Sequence, residues 1–337
     1  MHVRASDWRR HGHHNDRHYN GVMFHVVSYG DDQAVSASGR QVPLVFLRRE
    51  QTLAGMRSVA PANPVPDEVV AADLLPELTL EEAGDRRFLA KSSGFQVALR
   101  TRHPDDVLWA AVLDGLGYSR NRKGFRQLAT RLPWSALAGV RDAGRALPPA
   151  DIELVLLWAA GLAEKPPASS SPGAAAARLS PLPGPRPEWA RAAGRPQNHP
   201  ARRITAAAHL ACRWQESGGP AASLESAVVA ATRPVELDRS LAVFGSGPDR
   251  ACLGPGRAGA IVVNAVLPGL HAIAFETGRW HLAERCLSLY RAHPKLPDNG
   301  VEREARTLLR QAGRAPAARN ARDQQGLLYL YRALTTG

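Results

Sequence analysis

The chain has 337 residues, 44% of them hydrophobic and 22% charged, with 43 Lys+Arg against 31 Asp+Glu and a formal net charge of +12. That length and apolar content exclude a disordered chain and allow two domains with cores of their own; three scattered cysteines (Cys212, Cys252 and Cys286), none in a CxxC pair, exclude a disulfide framework and a zinc knuckle and fit a reducing cytoplasm. Excess positive charge ordinarily points to a polyanion, but arginine carries nearly all of it, with lysine only at 91, 123, 165 and 295. This is the bias of a GC-rich genome, and charge alone leaves a functional surface and a compositional habit in balance.

The first 27 residues hold six of the twelve histidines. They read as an extended entry, a polar loop dense in imidazoles around Asp7, Trp8 and Asp16, and a β-branched strand over 22–27. No charged stretch followed by an apolar run marks a secretory signal. Because Val3 opens in mid-strand, a further N-terminal piece is expected upstream in a full-length form. A second extended run, 42–47, follows a polar Gly/Asp/Ser turn region at 30–40, which predicts a hairpin or two adjacent strands. Residues 60–76 are Pro-rich and acidic and predict a connecting loop.

From Asp105 the spacing becomes helical. Pro104, Asp105 and Asp106 open a helix for Val107, Leu108, Ala111, Val112 and Leu116, with Gly117 as its stop, and 127–131 and 152–162 continue in the same manner. Residues 165–200 are rich in Pro, Ala, Ser and Gly and predict an exposed linker or long loop. Further helices are predicted at 202–214, 224–231, 256–275, 280–291, 301–311 and 321–334. The apolar run 258–275 is broken by Asn264, Pro268 and His271, so a buried, Pro-kinked helix is expected and no membrane span. The expected fold is α+β: a strand-rich part over 1–100, a first helical part over 101–164, the linker or loop at 165–200 and a C-terminal helical part over 201–337.

Three groups of residues are candidates for chemistry. His11 and His13 would point to one side of an extended chain and supply two metal ligands, but no third, so a loop near a phosphate is the stronger expectation and no metal site is assigned. His25 shares a strand face with Met23 and Val27 and reads as a hydrogen-bonded core histidine. In GYSRNRKGF at 117–125, read as a turn between helices, Arg120, Arg122 and Lys123 lie between Tyr118 and Phe125, a pairing of cations with aromatics that suits phosphate and base contacts. Arg202 and Arg203 follow Pro200 at a helix start, where free N–H groups favour an anion. GPGRAG at 254–259 fits the dinucleotide fingerprint, but Glu276 ends a helix where that site needs a strand, so no dinucleotide is expected.

Seven blocks carry a resemblance: HVRASDWRRHGHH at 2–14, YNGVMFHVV at 19–27, GLGYSRNR at 115–122, LPW at 132–134, RPQNHP at 195–200, NAVLP at 264–268 and QQGLLYLY at 324–331. Together, in this order, they resemble the bacterial domain-of-unknown-function family DUF2851. Members of that family carry, ahead of the first block, a Gly-Pro-Asp segment and a strand ending Gly-Asp-Val-Glu-(Ile/Leu)-His. The arrangement is similar to the Pro-Asp…Glu-x-Lys site of restriction-type nucleases, with His in place of Lys. In such a site two carboxylates hold Mg²⁺ and the third residue orients water for attack on a phosphodiester. The resemblance places His2 at the third position, with both carboxylates before Met1. It thus implies a truncated nuclease-like N-terminal part, Mg²⁺ in a full-length form, and neither a cofactor nor hydrolysis in this chain.

The sequence-based expectation is a cytoplasmic bacterial protein that binds DNA or RNA and belongs to or descends from a Mg²⁺-dependent nuclease-like group. His2, His11 and His13 are the expected residues at the reacting phosphate. Arg120, Arg122, Lys123, Arg202 and Arg203 are the expected nucleic-acid contacts. The rival expectation is a helical protein–protein interaction or scaffold module without catalysis.

Overall fold

A computed structural model describes residues 2–29, 32–46, 78–142, 144–163, 179, 182–190, 199–245, 251–311 and 317–336. The chain divides into two compact units, Met1–Pro66 and Asp67–Gly337, the second predominantly helical. The predicted 60–76 loop lies outside the described residues.

In the first unit β1 (His2–Arg4), β2 (His25–Tyr29) and β5 (Leu44–Phe46) form a sheet of order β1-β2-β5. Both pairings are parallel, with His2 opposite Val27 and His25 opposite Leu44. The two runs expected as a hairpin or as neighbours are thus parallel neighbours. A tight turn cannot join parallel strands, and the chain between them instead forms its own antiparallel ribbon, β3 (Ala34–Val35) on β4 (Gln41–Val42). Trp8, on the short helix α1 (Asp7–Arg10), packs with Ala34 and Val42 and donates its indole N–H to the Val35 carbonyl at 2.8 Å.

The second unit begins with α2 (Leu80–Leu99), where Thr79 and Glu82 form a reciprocal capping box. Then follow α3 (Pro104–Leu116), α4 (Tyr118–Arg131), the short α5 (Trp134–Ala138) and an antiparallel pair of two-residue strands, β6 (Arg141–Asp142) and β7 (Arg145–Ala146). Leu132 ends α4, and its carbonyl accepts the Trp109 indole N–H at 3.1 Å. Trp134 completes an edge-to-face triad with Trp109 and Trp214, at centroid separations of 5.8, 6.1 and 6.2 Å. The LPW block is therefore a piece of the core. After α6 (Pro149–Ala159), the described part of the Pro-rich stretch is a largely exposed loop that is pinned to the helices at one point: the Trp189 indole donates to Ala160 O at 2.8 Å and its ring meets Phe125 edge-on. A Cβ on Gly124 would lie 2.7 Å from the Trp189 ring, so only glycine lets this segment cross α4.

The C-terminal helices α7 (Pro200–Glu216), α8 (Pro220–Ala230) and α9 (Pro234–Leu241) lead to an antiparallel ribbon of β8 (Val243–Phe244) and β9 (Ala251–Leu253). The long apolar helix follows as α10 (Pro255–Ile261), a π-turn (Val262–Val266) and α11 (Leu267–Glu276). By length and hydropathy it is long enough to cross a membrane, yet 78% of its most apolar window is buried within the unit. The π-turn ends two residues before Pro268 and contains Asn264, whose carbonyl, four residues back, the proline ring crowds; widening the helix there relieves that clash. Helices α12 (Trp280–Arg291), α13 (Gly300–Gln311) and α14 (Ala321–Thr336) complete the unit.

α14 lies against α2, and the crossing depends on Gly326: a Cβ there would sit 2.0 Å from the Leu80 carbonyl oxygen. Arg322 clamps the pair through Asp85 (2.6 Å) and Glu81 (2.8 Å). The Tyr290 hydroxyl donates to the Gly84 carbonyl beneath them at 2.7 Å.

A basic cleft as the candidate functional site

Helices α2, α3, α4, α10 with its π-turn, and α14 enclose a cleft of about 800 Å³ in the helical unit. Its cations come in two tiers. Arg102, Arg122, Arg126 and Arg332 are exposed, whereas Arg87, Lys91 and Arg257 are half-buried. Against these seven, Asp114 is the one carboxylate among the described residues lining the cleft.

Local hydrogen bonds fix the inner tier. Lys91 donates to the side-chain oxygens of Asn264 and Gln325, the latter at 2.7 Å, and Arg87 Nε donates to the same Gln325 oxygen at 3.0 Å. Asn264 is set by its place in the π-turn, where its amide N–H donates to Ala260 O at 2.8 Å. Arg257 reaches across to the Gly115 carbonyl at 2.6 Å. In the outer tier, Arg122 Nε lies 3.1 and 3.0 Å from the two Asp114 oxygens, with Arg126 at 3.5 Å from the first. Those bonds raise the Arg122 pKa, keeping it a cation at every working pH. Small side chains, including Gly94, Ala98, Ala110 and Ala111, leave the walls open, and Phe95 is the aromatic residue lining them.

Of the expected nucleic-acid contacts, the structure brings Arg122 alone into this cleft. The 117–125 segment is not a turn, because Gly117 keeps a right-handed helical conformation and the chain runs directly from α3 into α4. Arg120 lies exposed on α4, and Lys123 pairs with Glu188 at 2.7 Å. Arg202 and Arg203 do not stand at an open helix start. His199 caps α7 by accepting from the Ala201 N–H at 3.3 Å. Arg202 donates to Ala251 O at 3.0 Å, and Arg203, only 6% exposed, donates to Cys252 O at 2.6 Å. Arg203 is therefore out of a phosphate's reach and serves to tie α7 to the β8–β9 ribbon.

The imidazoles of the first unit form an aromatic cluster. The His13 ring lies 3.9 Å from that of Tyr19 at 30°, with Trp8 at 5.4 Å and His11 at 5.7 Å. Burial, and next the neighbouring His11, lower the His13 pKa; burial first lowers that of His25, which is 2% exposed and packed on Trp8, as a core histidine should be. The backbone of His2 lies in β1, while its side chain falls outside the described residues. Asp7 pairs with Arg10 at 2.8 Å, and Asp16 accepts from the His18 N–H at 2.9 Å. No group of three or more His, Cys, Asp or Glu among the described residues can hold a metal ion. GPGRAG follows a strand, but of an antiparallel ribbon, and Gly259 gives room to Asp238, whose nearest carboxylate oxygen would be 3.0 Å from a Cβ there.

Sequence reasoning missed Arg87, Lys91, Arg102, Arg126, Arg257 and Arg332, which are spread over almost 250 residues and belong to no motif. Two signals pointed toward them: Asn264 as a polar interruption of an apolar run, and the QQG block carrying Gln325.

These helices and their cleft belong to a protein made largely of one helical unit, which follows along the chain a small unit with a parallel sheet. The chain is a member of the family of proteins of unknown function DUF2851, whose family model matches residues 1–296. Gln325 and Arg332 come from beyond that span. Neither a curated protein nor a solved structure matches the chain.

Proposed function

We propose that this protein binds nucleic acid and that the basic cleft of the helical unit receives its phosphates. The observation that carries the proposal is the local charge balance. At the chain's overall ratio of 43 basic to 31 acidic residues, seven cations would be accompanied by about five carboxylates, and among the described residues lining the cleft there is one. A genome-wide preference for arginine enriches every surface alike and does not account for that concentration. Binding would rest on phosphate contacts from the arginines and Lys91, without a cofactor or a dinucleotide, and in the cytoplasm, which suits three free cysteines. The nuclease-like ancestry rests on the resemblance at 2–14 alone.

The test is equilibrium binding of a labelled oligonucleotide as a function of salt. The affinity of the wild-type chain should fall linearly with salt on a log–log scale, and the double variant R102Q/R332Q should flatten that slope by roughly 0.7 per lost single-strand contact. Absence of binding at low salt would overturn the proposal in favour of the scaffold reading.

A further inference from the structure

We infer that the cleft takes a single strand of nucleic acid, with a phosphate seated on Lys91, and that it does not take a duplex. The inference rests on the nucleic-acid reading above and specifies its ligand.

The two tiers of cations carry the argument. A duplex is a stiff convex rod that presents its phosphates outward, so it would meet the exposed Arg102 and Arg122 and fail to reach the half-buried Lys91 and Arg257. A single strand has rotatable backbone bonds and can place one phosphate at the floor while its neighbours stay on the rim. The enclosed volume agrees. A cleft of about 800 Å³ is the size that encloses a ligand of drug-like dimensions, on the order of two or three nucleotides, and much less than a turn of duplex.

The lining fits the parts of a nucleotide separately. Phe95 offers a ring for a base to stack on, and Gly94 and Ala98, one residue before it and three after it on α2, leave room beside that ring. Stacking of this kind tolerates any base, so little sequence preference is expected. Lys91 is held in advance by Asn264 and Gln325, which spares the ligand most of the cost of ordering a long flexible side chain. The outer arginines then draw the strand in by long-range attraction.

The experiment compares, by fluorescence anisotropy at about 50 mM salt, a labelled oligothymidine of about 12 nucleotides with a blunt duplex of the same length, and uses inorganic tripolyphosphate as competitor. The full chain is expected to bind the single strand at least ~10-fold more tightly than the duplex, with tripolyphosphate a poor competitor. K91Q should lose ~10-fold in single-strand affinity, and K91R, which keeps the charge, should recover most of it, separating lost contact from lost fold. Equal affinity for duplex and single strand, an unaffected K91Q, or displacement by tripolyphosphate at the oligonucleotide's own concentration would overturn this inference while leaving polyanion binding intact. No binding of either oligonucleotide would overturn both.

Discussion

Two arginine clusters in the same unit use one kind of side chain in opposite ways. At the start of α7, Arg202 and Arg203 turn inward onto the carbonyls of Ala251 and Cys252. Around the cleft, Arg102, Arg122, Arg126 and Arg332 stand exposed about a cavity with a single carboxylate among its described lining residues. On paper the first cluster is the better anion site, with adjacent arginines behind a helix-opening proline. Its guanidinium groups are consumed instead by a two-stranded ribbon whose carbonyls need donors. A run of positive charge in a sequence therefore says little until the backbone oxygens competing for it are known.

The sharpest way to break the comparison is at Arg203. Replacing it by alanine removes a buried charged hydrogen bond and its packing, and should cost about 2–4 kcal/mol of unfolding free energy. Single-strand affinity, measured below the lowered melting temperature, should stay within about twofold of wild type, since a phosphate contact was never made. Urea titrations showing an unchanged midpoint, or an affinity that collapses in folded protein, would put Arg203 in the wrong cluster.

A third inward-turned base sharpens the contrast, because it can give up its charge. His271 accepts or donates at the Ser92 hydroxyl, 2.8 Å away, and packs edge-on against Phe88; burial pushes its pKa down to about 4. The unfolded chain takes up a proton near 6.5 and the folded one only near 4, so the unfolded state binds more protons between those values. Stability is full above about pH 6.5 and falls as the pH drops toward 4, by up to about 3 kcal/mol. His13 and His25 act in the same direction in the other unit. H271Q should therefore flatten the pH dependence of the helical unit's unfolding between pH 4 and 6.5 without abolishing it. Parallel curves for the two proteins would remove His271 from the account.

How much of this was legible differs between backbone and site. Helix starts at Pro104 and Pro200, the buried helix carrying Asn264 and Pro268, and the amphipathic stretches over 280–291 and 321–334 are all visible as local patterns, because capping and periodicity are local physics. Helix α2 escaped notice. Gly84, Gly94 and the Ser92–Ser93 pair lower its propensity and break its apolar stripe, although Thr79 and Glu82 spell a capping box that marks its start. Gly84 and Gly326 are there for tertiary reasons, since α2 and α14 touch backbone to backbone. The cleft was illegible for a related reason: its walls are residues 87–130, 257–265 and 332, and only the folded chain brings them together.

The exposed cluster can be probed directly, and more modestly, at the rim. R102Q should leave unfolding free energy within about 0.5 kcal/mol of wild type, because Arg102 is exposed and its contact is with the Asp106 carbonyl at 3.1 Å in its own neighbourhood. Oligonucleotide affinity should nevertheless drop about threefold at low salt, an effect that disappears as salt is raised. This is the converse of Arg203, with binding moved and stability spared. A stability loss as large as that of R203A would erase the distinction between the clusters.

The smallest expected effect is also the one with an unusual sign. Asp114 is the carboxylate that opposes the cleft's cations, and it holds Arg122 through both of its oxygens while drawing on Arg126. Converting it to asparagine keeps its shape and one acceptor oxygen but removes the negative charge. An exposed pair of this kind contributes at most about 1 kcal/mol to stability, so the fold should be little changed. Two opposing effects then act on binding. Arg122 and Arg126 are released from partial neutralisation and become available to phosphate, which strengthens attraction; Arg122 also loses the bidentate partner that orients it, which weakens any contact it makes. Because affinity for a flexible polyanion follows local charge more than the exact pose of a rim residue, the first effect should win: D114N should bind a single-stranded oligonucleotide about two- to threefold more tightly at low salt, with a steeper salt dependence. A variant that binds more weakly would mean that Asp114 positions Arg122 for a specific contact, and that the rim reads geometry as well as charge.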